Sequence, residues 1–105
     1  MPLECLVQLF RRSDGCVVDG HNDLPWEIRT QGSSSFTKLD IAKPQPELHT
    51  DIPRLRAGGV GGQFWSVYVP VEMEGPEAVK ATLEQIDVVH RLAARYPQLL
   101  ELAWS

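Results

Sequence analysis

Val60-Gly61-Gly62-Gln63-Phe64-Trp65-Ser66-Val67-Tyr68-Val69 is the stretch on which the fold turns. Phe64, Trp65, Val67, Tyr68 and Val69 show no polar alternation, the pattern of a strand covered on both faces within a parallel sheet. Gly58, Gly59, Gly61 and Gly62 precede this strand rather than opening a helix, so they suit a tight helix-to-strand connection and not a phosphate loop. Upstream, Thr50 or Asp51 is placed to cap a helix with Pro53 in its first turn, and Gly58-Gly59 ends that helix. From Lys43 to Leu48, Pro44 and Pro46 forbid regular structure. Downstream, Pro76 and Glu77 begin a long helix over 77–96. In it Val79, Leu83, Ile86, Val89, Ala93 and Tyr96 recur at steps of three or four, which predicts one apolar stripe. Asp87 and Arg91 form a favourably ordered i,i+4 pair on its other face. Pro97 stops the helix, and Leu99 to Trp104 reads as a further strand.

On the amino-terminal side, Cys16-Val17-Val18 is a β-branched run opened by Asp14-Gly15 and closed by Asp19-Gly20, which predicts a short buried strand. Leu24 to Thr30 fits two helical turns with Asp23 as N-cap and Pro25 tolerated in the first turn. Gly32-Ser33-Ser34-Ser35 reads as loop, and the apolar run Cys5 to Phe10 as a short helix. The order strand, helix, strand, helix, strand favours a parallel α/β sheet. Parallel strands need neighbours on both sides and helices over both faces, which two or three strands cannot supply. A closed eight-stranded barrel takes roughly 250 residues. The expected fold class is therefore α/β, with residues 1–105 forming the amino-terminal part of a single (β/α)8 barrel domain. No internal repeat or low-complexity tract is visible.

Composition excludes some functions. Of 105 residues, 43% are hydrophobic, enough for a core, and 10 basic against 14 acidic residues leave a net charge of -4. The Lys and Arg residues are scattered, without the stripe that follows a phosphate backbone, so nucleic acid is not an expected partner. Met1-Pro2-Leu3-Glu4 lacks a basic n-region, and the Cys5–Phe10 run, broken by Gln8 and followed by Arg11-Arg12, is too short for a signal core or a membrane span. A cytoplasmic protein is expected, with Cys5 and Cys16 reduced and buried.

In an extended segment, side chains at i and i+2 share a face, so His21 and Asp23 project together while Asn22 turns away. An imidazole and a carboxylate side by side suit Zn²⁺, and a strand's carboxyl end is where barrel enzymes build their sites. The alternative is that Asp23 caps the following helix and His21 is an ordinary loop residue. A second His-x-Asp, His49-Thr50-Asp51, follows a proline-rich stretch and immediately precedes a helix that needs a cap, which assigns it to capping. His90, beside the apolar stripe of the long helix, reads as packed or solvated. Trp26 and Trp65 suit either a pocket lining or the core. No serine or cysteine sits in a recognisable nucleophile setting.

Three ordered segments carry a resemblance. Val17-Val18-Asp19-Gly20-His21-Asn22-Asp23-Leu24-Pro25-Trp26, the run from His49-Thr50-Asp51-Ile52-Pro53 through Gly61-Gly62-Gln63-Phe64-Trp65-Ser66 to Pro70, and Thr82-Leu83-Glu84-Gln85-Ile86-Asp87-Val88-Val89-His90-Arg91 resemble the amino-terminal third of the renal (membrane) dipeptidase family. The resemblance implies a (β/α)8-type barrel with two zinc ions bridged by a glutamate, hydrolysing dipeptides and, in some members, a β-lactam ring. Carried over by position, the first two ligands fall on His21 and Asp23, both on one zinc. The bridging glutamate, two later histidines and the substrate-binding residues then lie beyond Ser105. The implied substrate is a dipeptide; association with a second copy of the chain is expected only from the sheet edges and apolar stripe that so few strands leave uncovered. Two other readings stand beside this one: a non-catalytic truncated product or interaction module, and an amidohydrolase-like barrel. The first strand of the latter typically offers His-x-His, and Asp23 counts against it.

Overall fold

The computed structural model describes residues 17–103 together with the backbone of Cys5–Phe10. Those six residues form a strand, β1 (Cys5–Phe10), and not the helix that their apolar run suggests. Six residues without a cap are too few to sustain a helix alone. Here their backbone groups find ladders on both sides, antiparallel to β3 (Val60–Ser66) and to β4 (Leu100–Leu102). The sheet order is β2-β3-β1-β4, with β2 (Val17–Asn22) parallel to β3. Strands β2, β3 and β4 therefore run in one direction, and β1 lies between β3 and β4 against it. The parallel alternation is present, but the sheet is mixed.

Strand β2 differs from its reading in two ways. It runs on through Asp19-Gly20 to Asn22. It is also an edge strand rather than a buried one, with Val18 64% exposed, because among the described residues only β3 pairs with it. Helix α1 (Leu24–Thr30) follows directly and buries Leu24 and Ile28. The stretch after it, without helix or strand, contributes Phe36, Ile41 and Leu48 to the core. Gly32 is required there, because a Cβ would lie 2.8 Å from the Ile28 carbonyl oxygen. Helix α2 (Ile52–Ala57) packs Ile52 inward and hands the chain to β3 through Gly59, whose φ of 73° disfavours other residues. Trp65 and Val67, fully or nearly fully buried, centre the core.

Helix α3 (Gly75–Arg95) is amphipathic, on a face rotated from the expected stripe. Ala81, Gln85, Val88, Val89 and Leu92 are buried, whereas Val79 and Leu83 are about as exposed as a surface residue, at 60% and 61%. The pair Asp87–Arg91 forms at 2.9 Å. Arg29 Nε donates to Glu84 Oε2 at 2.8 Å and ties α1 to α3. Beyond α3 the Tyr96 hydroxyl donates to Asp40 Oδ1 at 2.6 Å, while its ring meets Phe36 edge-on. No helix among the described residues is long and apolar enough to cross a membrane.

Candidate functional site

At the carboxyl end of β2 the chain offers His21, Asn22 and Asp23 in succession, and each side chain does something different. His21 Nε2 and Asp23 Oδ1 lie 3.1 Å apart, with side chains 61% and 57% exposed. Asn22 turns away from them. Its Oδ1 accepts from the Leu24 backbone N–H at 3.0 Å, and its Nδ2 donates to Thr50 Oγ1 at 2.8 Å. Asn22 thus satisfies the first amide of α1, whereas the Trp26 amide that an Asp23 side-chain cap would take up bonds to the Asp23 carbonyl oxygen at 3.0 Å. Asp23 occupies the N-cap position, but its side chain makes no capping bond. Its carboxylate is left facing His21 in the open.

The second His-x-Asp is built for a different end. Asp51 is 1% exposed and caps α2, with Oδ1 accepting from the Arg54 amide at 2.9 Å. Oδ2 accepts from the Gln45 amide at 2.9 Å and from Arg54 Nε at 2.7 Å. Burial by itself raises the Asp51 pKa, but those amides and the guanidinium outweigh it and hold the carboxyl below its ordinary 3.8. Capping is therefore what Asp51 does. His49 is exposed, and the Asn22–Thr50 hydrogen bond draws its segment to the first motif.

Together the two motifs line a cleft of about 320 Å³, formed by His21, Asn22, Asp23, Leu24, Glu27, Leu48, His49 and Thr50. His21 and Asp23, expected from the sequence as zinc ligands, both line this cleft. The sequence reading left Asn22, Thr50, Glu27 and His49 outside the site. Asn22 and Thr50 are 28 residues apart, and no local periodicity announces their hydrogen bond. The repeated pattern of His-x-Asp with a polar middle residue is the one signal that could have. Trp65 is in the core, and Trp26, half-buried on α1, lies under the Arg29 guanidinium at 5.5 Å. His90 is exposed on α3, away from the cleft. Cys16 and the Cys5 side chain lie outside the described residues.

The donors fit a zinc ion in kind and spacing, but not in number. With Zn–N and Zn–O bonds of ~2.0–2.1 Å, two ligands on a tetrahedron stand about 3.3 Å apart, close to the 3.1 Å between His21 Nε2 and Asp23 Oδ1. Among the described residues, however, no group of three or more His, Cys, Asp or Glu is placed to hold a metal.

Residues 8–105 match the family model described as "Membrane dipeptidase (Peptidase family M19)". The chain belongs to the membrane dipeptidase family. Its relatives include Dipeptidase ataJ of Aspergillus terreus (strain NIH 2624 / FGSC A1156), 43% identical over 97 residues, covering 85% of this chain and 23% of the relative. Dipeptidase verJ of Clonostachys rogersoniana is 40% identical over 101 residues, covering 87% and 26%. Dipeptidase 3 of Mus musculus is 40% identical over 83 residues, covering 79% and 17%. The chain thus spans about a quarter or less of the length of these curated relatives. Each is named a dipeptidase, in keeping with the family.

Proposed function

We propose that this chain contributes the first part of a zinc site to a dipeptide-hydrolysing enzyme, with His21 and Asp23 as two ligands of one ion. The 3.1 Å approach of His21 Nε2 to Asp23 Oδ1, exposed on a cleft at a strand's carboxyl end, carries the reading. The common direction of β2, β3 and β4, with α1 and α2 before β3 and α3 before β4, supports a (β/α)8 barrel as the setting. Zinc bound there would supply a Lewis acid that polarises the scissile carbonyl.

The chain's own residues prepare that site. His21 offers a ring nitrogen and Asp23 a carboxylate that makes no capping bond, while Asn22 takes up the Leu24 amide at the start of α1. Leu24 and Leu48 give the cleft an apolar wall suited to a small side chain. Glu27 adds an acceptor on the same cleft, suited to an amino group. The absence of a three-donor group among the described residues favours a second reading, in which these residues alone form a non-catalytic polypeptide.

The test is a chimera in which residues 8–105 replace the matching segment of the Aspergillus terreus relative. It should hydrolyse Gly-containing dipeptides. His21→Ala and Asp23→Ala should each lose bound zinc and more than about a hundredfold in turnover, beyond what loss of an outer-shell partner costs. His49→Ala should stay close to the parent in both. A folded chimera without hydrolysis, or equal sensitivity of His21 and His49, contradicts the proposal.

A further inference from the structure

We propose that Gln63 is a positioning residue for the His21–Asp23 pair, an inference that rests on reading that pair as metal ligands. Strands β2 and β3 pair Asp19 with Gln63 and Asn22 with Trp65, so Gly20 and His21 together stand opposite Phe64 alone. This is a bulge, a device that bends a strand and re-aims a side chain, and it leaves ladder carbonyls without regular partners. The side chain of Gln63 takes up the slack. Its Nε2 donates to the Asp19 carbonyl oxygen at 3.3 Å, to Asp19 Oδ2 at 2.9 Å and to the Phe64 carbonyl oxygen at 3.1 Å. One buried amide therefore straps both strands across the bulge, holding the residue two before His21 and the residue opposite it. Three acceptors around one atom also fix which way the amide points. Among the described residues the other end of the amide, Oε1, is buried with no hydrogen-bond partner. A buried polar atom left unpaired carries a desolvation cost that an apolar side chain of the same shape avoids. The strap on β2 is a reason to keep the amide despite that cost. Asn22, bonded to Thr50 and to the Leu24 amide, holds the other side of the bulge.

A second buried glutamine supplies the control. Gln85 on α3 is equally buried, donates from Nε2 to the Tyr68 carbonyl oxygen at 3.1 Å and, among the described residues, also has an unpartnered Oε1, but its hydrogen bond lies off β2 and it does not line the cleft. The experiment titrates the chain with Co²⁺ while following the imidazole signals of His21, His49 and His90 by NMR, and measures urea unfolding in parallel. In the parent, Co²⁺ should act on His21 first. Gln63→Met should raise the Co²⁺ midpoint at His21 by about tenfold, the effect typical of losing an outer-shell partner. Gln85→Met should change only the urea midpoint. Asp19→Asn and Asp19→Leu both remove the Asp19 charge, but only the asparagine keeps an acceptor for Gln63 Nε2, so Asp19→Leu should weaken Co²⁺ binding more than Asp19→Asn.

A parent-like midpoint in Gln63→Met, or equal weakening in Gln85→Met, overturns the positioning role alone. If Gln63→Met does not fold, the Asp19 variants decide: weaker binding in Asp19→Leu than in Asp19→Asn supports the role, and equal binding overturns it. A parent in which Co²⁺ does not act on His21 overturns the metal reading and this inference with it.

Discussion

Asp23 and Asp51 end the same tripeptide pattern, yet their carboxylates sit in opposite surroundings. Asp51 is buried under three N–H donors, and Asp23 is open to solvent beside His21. Their removal should therefore be felt in different measurements. Asp51→Ala takes away a helix cap and leaves the Gln45 amide and Arg54 Nε without their acceptor, although Arg54 Nη2 keeps the Gln45 and Leu48 carbonyl oxygens, and should cost about 2–4 kcal/mol in urea unfolding. Asp23→Ala should stay within about 0.5 kcal/mol of the parent, as exposed substitutions do. The Asp51 penalty should also depend on pH. Its folded pKa lies below the ordinary 3.8, so the charge stabilises the fold above that value, and the contribution fades as pH falls through the lowered folded pKa. Acid unfolding of the parent and of Asp51→Asn should show the gap between them narrowing below pH 3.8. A constant gap would mean that the carboxylate's charge contributes nothing. Both roles are legible in the sequence, because one motif follows β-branched residues and the other precedes a proline-started helix. The link between them through Asn22 and Thr50 is not, since it is a tertiary contact.

At the scale of elements, helix α3 separates what periodicity reveals from what it conceals. Its length and its stop at Pro97 can be read directly, but its buried face cannot, because Gln85 and Ala81 point inward while the larger Val79 and Leu83 point out. A stripe drawn through the most apolar residues is displaced toward solvent when a glutamine holds a core position. Val79→Gln and Leu83→Gln should accordingly change stability by no more than about 0.5 kcal/mol. Leu92→Ala, at a fully buried position, should cost about 2–5 kcal/mol. Urea midpoints of the three variants check this, and a large loss at Leu83 would return the helix to the expected stripe. Strand β1 teaches a related lesson. Cys5–Phe10 is too short for its apolar run to separate helix from strand, and the ladders on β3 and β4 decide it. Helix α1, by contrast, begins and ends where Pro25 and the polar run after Thr30 place it.

For the whole molecule, the sheet and the candidate site point the same way. Strand β2 has β3 on one side only, Val17 and Val18 are exposed along it, and Val79 and Leu83 leave part of α3 uncovered. An unpaired strand edge beside apolar side chains invites pairing with another copy. Sedimentation of residues 1–105 should thus show dimers or larger species, and Val18→Lys should shift them toward monomer. The same 105 residues should not turn over a dipeptide. Glu27 and His49 line the cleft with His21 and Asp23, but among the described residues no three such donors are grouped to hold a metal, whereas catalytic zinc sites take three protein ligands and keep a further position open. Two donors leave half of a tetrahedral ion's coordination to water, so zinc should bind weakly and without the fixed geometry that aligns a carbonyl for attack. The measurement is Gly-dipeptide hydrolysis by the purified chain with added zinc, alongside zinc stoichiometry and the sharpness of urea unfolding. The expected outcome is no hydrolysis, weak zinc uptake that His21→Ala abolishes, and a broad transition. Turnover by a zinc-loaded monomer with one sharp transition would mean that further ligands assemble from residues outside those described. The pair at the end of β2 would then be part of a complete centre rather than its beginning.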